Sequence, residues 1–267
     1  MAEAIDELRG IARAWAPDFY LSALLAPRAA RSHLLALAAF LGDVERIVAT
    51  VVDPALAEIR LQWWRDAIAG AEKGQRTGHP VADALGEAIR ARSLPFAEFD
   101  GLLDARALDL YADALPDESA LAAYLNKADG AALRLGARCL GHTKPGGSLL
   151  IDSAARAIGT TRLIRTLPMF LARGRPPFPG ADATSPGALP ASIAAHMTQA
   201  RLDLALARAA WRAGSLPERS ACLPLAVVEG YLRAAERRGH DPARMLADVQ
   251  PLTRVWRLWV AHVTGRI

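Results

Sequence analysis

Carboxylates four residues apart on a helix can share a divalent cation, and this chain carries several such pairs. Asp100 with Asp104 and Asp109 with Asp113 both repeat the spacing Asp-x-x-x-Asp. Each pair would point one way, and a magnesium ion held there could bind a diphosphate. On one continuous helix the first pair faces about 180° from the second. The two therefore cannot line a single cavity, and the expectation for both is a solvated face with local ion pairs. Asp100 also sits near a helix start, where its charge suits the dipole. A second charged group is Asp43, Glu45 and Arg46. Residues two apart on a helix point about 200° from each other, so Asp43 cannot be the metal-binding partner of Glu45. A lone carboxylate beside an arginine reads as a local ion pair. Further on, Arg162 and Arg165 could hold an anion, or pair with Asp152 or another acid.

These residues need helices to position them. Alanine and leucine dominate, β-branched runs are scarce, and apolar residues recur at helical spacing almost throughout. The pattern predicts roughly ten helices, no sheet, and one domain over residues 1–267. Breaks fall at Pro17, Pro27, Asp53-Pro54, the stretch from Gly74 to Pro80, Pro95, Pro116, Pro145-Gly146-Gly147, Pro217 and the stretch from Gly239 to Pro242. Asp53 before Pro54 predicts an N-cap with proline in the first turn, and Asp241 before Pro242 predicts another. Residues 174–190 hold five prolines and read as an irregular loop or lid. Within the helix after Pro54, Ile59, Trp63 and Ile68 are expected on one core face, with an aromatic cavity wall as the other reading. Glu58 with Gln62, and Arg65 with Asp66, are expected as surface partners or a polar rim.

Composition narrows the class. Hydrophobic residues make up 52% of 267, enough for a sizeable core. No uncharged apolar run approaches the roughly 18 residues of a membrane span. The acidic start, with Glu3, Asp6 and Glu7, suits neither a secretory signal nor an Arg-rich transit peptide. Cys139 and Cys222 show no metal-ligand spacing and read as small buried apolar residues in a reducing compartment. The net charge of +4 comes with no basic cluster dense enough for nucleic acid. Near the end, Leu252, Val255, Trp256, Trp259 and Val263 form an apolar stripe flanked by Arg254, Arg257 and Arg266. The first expectation is that this stripe docks on its own domain; peripheral membrane contact is the other. The expected location is cytoplasmic, with the inner membrane face as the peripheral site.

From Phe19-Tyr20-Leu21 to about Trp259 the chain resembles the squalene/phytoene synthase family. The residues that carry the resemblance are Ala26-Pro27-Arg28, the Glu58 to Ile68 stretch, and His79-Pro80-Val81-Ala82. They continue with Tyr124 before Asp129-Gly130, Gly174-Arg175-Pro176-Pro177-Phe178-Pro179, Leu223-Pro224-Leu225 leading to Tyr231, and the Gly239-His240-Asp241-Pro242 turn. The resemblance implies an all-α, isoprenoid synthase-like helical bundle with a central cavity. It also implies two aspartate-rich magnesium motifs. The first, roughly Tyr-Ala-Phe-Cys-Arg-x-x-Asp-Asp-x-x-Asp, sets its tyrosine on Ala38, its phenylalanine on Phe40 and its arginine on Gly42. Its acids fall on Glu45, Arg46 and Ala49. The second sets its amides on Gly159 and Arg162 and its acids on Thr166 and Phe170, and Pro168 would kink or end that helix.

Departure of a diphosphate needs its growing charge neutralised, which metal ions do as Lewis acids and arginines alone do poorly. The Glu58 to Ile68 stretch and the missing acids resemble a divergent branch. That branch includes the mitochondrial NADH dehydrogenase (complex I) assembly factor with a phytoene synthase-like fold. The expectation is a catalytically silent binding or assembly protein with no cofactor, taking an isoprenoid or lipid ligand or a protein partner. The alternative is a prenyl diphosphate transferase of the head-to-head type that uses atypical ligands and magnesium. In either case the residues expected at the relic site are Asp43, Glu45, Arg46, Tyr124, Arg162 and Arg165.

Overall fold

The structure, a computed structural model, describes residues 2–111, 113, 115–143, 147–181 and 187–267. Pro145 and Gly146 of the expected turn, and Pro186 of the expected loop, lie outside the described residues. Among the described residues there are fourteen α-helices and no strand. Numbered along the chain, they are α1 (Ala2–Trp15), α2 (Pro17–Leu25), α3 (Arg28–Thr50), α4 (Pro54–Glu72), α5 (Pro80–Arg92), α6 (Phe96–Ala107) and α7 (Glu118–Leu125). There follow α8 (Ala131–Cys139), α9 (Leu149–Arg165), α10 (Leu167–Ala172), α11 (Ala188–Trp211), α12 (Leu216–Ala221), α13 (Leu225–Ala235) and α14 (Pro251–Thr264). A 3-10 turn spans Leu108–Leu110 and a π-turn spans Asn126–Gly130.

The helix boundaries follow the local chemistry. Asp53 accepts from the Ala55 amide at 2.9 Å and caps α4, with Pro54 in the first turn. His79 caps α5 through Nδ1, and Asp117 and Ser148 cap α7 and α9. Asp241 does accept from the Ala243 amide at 3.0 Å, but it caps a turn rather than a helix, since α14 begins only at Pro251. Pro168 acts as expected: α9 stops at Arg165 and α10 starts with this proline in its first turn. The irregular stretch is shorter than expected, because α11 already begins at Ala188 and includes Pro190.

The chain folds as two compact units, each drawn from three stretches. The first comprises residues 1–110, 131–146 and 215–221. Its axis is α3, which packs against α1, α2, α4, α5, α6 and α8. Leu35 to Phe40 of α3 are all buried, so this helix is apolar on nearly every side. Gly42 permits the contact with α1: a Cβ there would stand 3.0 Å from the Ile11 carbonyl oxygen and 3.3 Å from Trp15 Cβ. The core of this unit centres on Phe40, whose ring meets Trp64 at 5.0 Å and Phe99 at 5.5 Å, both edge to face. The unit also holds an apolar cleft of about 330 Å³, open space included, lined by Phe19, Ala23, Leu34, Leu37, Ala38 and Gly136.

The second unit comprises residues 111–130, 147–214 and 222–267. Its axis is α9, which packs against α7, the π-turn, α10, α11 and α13. Phe178 stacks on His196 at 4.1 Å, and Trp211 donates to the Gly265 carbonyl at 2.8 Å. Cys139 in the first unit and Cys222 in the second are buried, as their apolar reading predicts, and neither is in a disulfide; burial pushes the Cys139 thiol up to about 12.

No helix among the described residues is long and apolar enough to cross a membrane.

Candidate functional site

The six residues expected at the site fall three to each unit. In the first unit, Asp43 is buried on α3. Its Oδ2 accepts from Trp64 Nε1 at 3.0 Å, and its Oδ1 accepts from Arg46 Nε at 3.0 Å. Arg46 lies one turn on, as an i,i+3 pair requires. Glu45 points elsewhere and accepts from Arg106 at 2.6 Å. The expected pairing of Glu45 with its neighbour is therefore corrected: Asp43 takes Arg46, and Glu45 takes a guanidinium sixty-one residues away. Arg106 is buried and also meets Asp109 at 2.8 Å, so one guanidinium neutralises two carboxylates.

The first Asp-x-x-x-Asp pair is solvent-exposed and ion-paired, as expected, and the second is split. Asp100 and Asp104 share Arg65 of α4, at 3.0 and 2.5 Å. That is a clamp between α4 and α6, and it replaces the expected partner Asp66, which instead accepts from Gln62 at 2.9 Å. Asp109 and Asp113 do not continue the helix, because α6 ends at Ala107. Asp109 is buried in the 3-10 turn, while Asp113 is exposed beyond it.

The α4 face also departs from expectation. Ile59 and Trp63 are exposed, at 65% and 39%, while Trp64, Leu61 and Ile68 are buried. Ile68 lies about 140° round the helix from Trp63, so the two cannot share a core face.

In the second unit, Arg162 of α9 forks onto Asp129. Its Nε donates at 3.1 Å and an η nitrogen at 2.9 Å, and the same η nitrogen donates to the Tyr124 hydroxyl at 3.1 Å. The π-turn places Asp129 against α9. Gly159 makes room for it: a Cβ would stand 2.5 Å from Asp129 Oδ2 and 2.6 Å from Leu125 Cδ2. Arg165, one turn on, lies 3.7 Å over the Tyr231 ring and donates to the Ala247 carbonyl at 3.2 Å. Arg254 of α14 donates to the Tyr231 hydroxyl at 3.0 Å and to Asp248 at 2.6 Å, and Asp248 also lies 3.5 Å from Arg165. Asp152, the acid proposed for either arginine, pairs with neither among these contacts.

Sequence reasoning missed Arg106, Asp109, Asp129, Tyr231, Asp248 and Arg254 as participants. Their partners lie up to eighty-three residues away, beyond the reach of any periodicity. Only Gly159 signalled a close approach, and nothing in the pattern says what approaches.

Asp43, Glu45 and Asp129 each accept from an arginine, so a divalent cation would have to displace a guanidinium to reach any of them. Among the described residues no three carboxylate, imidazole or thiol side chains converge so as to hold a metal ion.

Comparison with known proteins places this architecture. The crystal structure of squalene synthase HpnC from Alicyclobacillus acidocaldarius superposes with a TM-score of 0.71 at 21% identity, over 90% of this chain and 96% of that one. A dehydrosqualene synthase in complex with ligand superposes with a TM-score of 0.75 at 15% identity, over 99% and 98%. At these identities the likeness is one of fold. No curated protein sequence matches the chain closely enough to count as a relative. The squalene/phytoene synthase profile matches residues 12–259, nearly the whole length, and the chain belongs to the squalene/phytoene synthase family.

Proposed function

We propose that this protein keeps the family fold without the family's condensation chemistry and serves as a binding or assembly protein. The observation that supports the reading most is the fate of the charged side chains. Glu45, at the one motif position that keeps an acid, is held by Arg106, and Asp43 and Asp129 are likewise held within their own units by Arg46 and Arg162. At the positions of the other motif acids stand Arg46, Ala49, Thr166 and Phe170. Thr166 bonds back to the Arg162 carbonyl at 2.8 Å, and Phe170 is buried. The resemblance of the Glu58 to Ile68 stretch points the role toward assembly of a respiratory complex, with an isoprenoid or other lipid tail as the small-molecule ligand.

A second reading, prenyl diphosphate transfer with atypical ligands, draws support from one place. Arg165 and Arg254 flank the Tyr231 ring and both approach Asp248, a pair of neighbouring guanidinium groups of the kind that suits an anion.

Turnover separates the two. Incubation with farnesyl or geranylgeranyl diphosphate and magnesium is expected to release no diphosphate above a protein-free control. Steady diphosphate release that R165A abolishes would establish the second reading.

A further inference from the structure

The stripe on α14 does not dock on its own unit. Leu252, Val255, Trp256, Trp259 and Val263 are 84, 47, 62, 45 and 60% exposed. They fall within an arc of about 100°, centred opposite the buried side chains Arg254, Leu258 and Ala261. The docking contacts are made by the back of the helix: Leu258 and Ala261 in the interior, and Arg254 on Tyr231 of α13. The front is a continuous apolar strip with no cover.

We propose that this face seats the protein on an anionic membrane surface, with α14 lying in the interface plane. Three observations select this occupant. Trp256 and Trp259 lie together, ring centroids 5.4 Å apart and tilted by 30°, as one aromatic ledge. Indole rings favour the depth of the lipid headgroups, where one edge is apolar and the other wet. The chain from Pro251 to Ile267 contains no acid; His262 flanks the stripe and Arg266 follows at its end, while Arg257 turns to the docked side and lays its guanidinium near Gly230 of α13. Arg208 of α11 adds a further cation, donating to the Ile267 carbonyl at 3.0 Å. The nearest preceding acid, Asp248, is engaged by Arg254. A basic surround with an apolar strip is the composition that anionic lipid attracts.

Another exposed strip, on α4, makes the contrast. On α4, Leu56, Ile59 and Trp63 stand among Glu58, Arg60 and Asp66, a mixed surround that anionic lipid would not favour. Self-association through α14 is disfavoured for another reason. The two strips would bring no carboxylate of either helix to meet Arg266 of the other copy. At 14 residues α14 is about 21 Å long, too short to cross the hydrocarbon core and suited to lying on it.

The test is sedimentation of the full chain with vesicles of phosphatidylcholine alone and of phosphatidylcholine with one-third phosphatidylglycerol. Binding is expected only to the second kind, with a blue shift of tryptophan emission, and it should weaken at about 1 M salt, where the screening length falls to about 3 Å. The double variant W256A/W259A is expected to bind about tenfold more weakly. Its melting temperature should stay within about 2 °C of the parent, because both indoles lie on the exposed side of the helix. L252S/V263S, which keeps both tryptophans, should weaken binding in the same direction and guards against a fold defect in the first variant. Absence of binding to anionic vesicles, or binding that neither variant weakens, overturns the proposal. So does a dimer in vesicle-free solution that W256A/W259A dissociates, which would assign the face to a second copy. None of these outcomes depends on whether the protein turns over a prenyl diphosphate.

Discussion

Asp43 shows how a residue that reads as a relic ligand can be a structural one. Its carboxylate is the acceptor for a fully buried indole N–H, and only one of its two partners, Arg46, reaches solvent. Removing it strands the Trp64 donor, so D43A is expected to cost about 2–3 kcal/mol in urea unfolding. D43N keeps a carbonyl for Trp64 and loses the half-exposed ion pair, so it should cost about 1 kcal/mol. Equal losses in the two variants would show that charge, not the indole bond, is what Asp43 supplies. At this scale the sequence was partly readable. The opposite headings of Asp43 and Glu45 followed from helix geometry alone. The identities of their partners did not, because Arg106 and Trp64 reach them across the fold. Gly159 is similar: a missing side chain marks close packing, but only the structure shows Asp129 and Leu125 filling the space.

Among the elements, the helix starts were the most readable feature, since Asp53-Pro54 and His79-Pro80 carry their own capping chemistry. Helix faces were less so. On α4 the buried tryptophan is Trp64, not Trp63, because the true apolar face runs through Ala57, Leu61, Trp64, Ile68 and Ala71. W64A should therefore cost about 3–5 kcal/mol. W63A, which loses edge contacts to Trp64 and His79, should cost about 1 kcal/mol. The reverse order would contradict the assigned face.

The packing of α3 on α5 carries a pH dependence. Arg92 donates to His33 Nδ1 at 3.0 Å, which requires that nitrogen unprotonated. Burial first, and the Arg92 charge second, hold the His33 imidazole below its ordinary value of 6.5. Above pH 6.5 folded and unfolded chains are both neutral at this residue. Below it the unfolded chain takes up a proton that the folded chain resists, so stability falls with pH until the folded imidazole also titrates. Urea midpoints measured from about pH 7 to about pH 5 should fall less steeply in H33Q than in the parent. Identical slopes would remove His33 from the account.

For the molecule as a whole, Ala- and Leu-rich helical periodicity conveyed the all-α class, and the ordered succession of short motifs conveyed the family. The division into two compact units was not readable. Each unit is assembled from three separate stretches, so no composition shift marks a boundary. Nor was the outward heading of the α14 stripe readable, since periodicity defines a face without saying what it meets. The central claim is that the charged side chains of the expected site, Glu45 at a motif position together with Asp43 and Arg162, serve the fold itself in this protein. Calorimetric titration with farnesyl thiodiphosphate, an unreactive analogue, with and without magnesium, tests that claim most directly. The account predicts no heat of binding that depends on magnesium. Magnesium-dependent binding of the analogue would show a working metal site and contradict it.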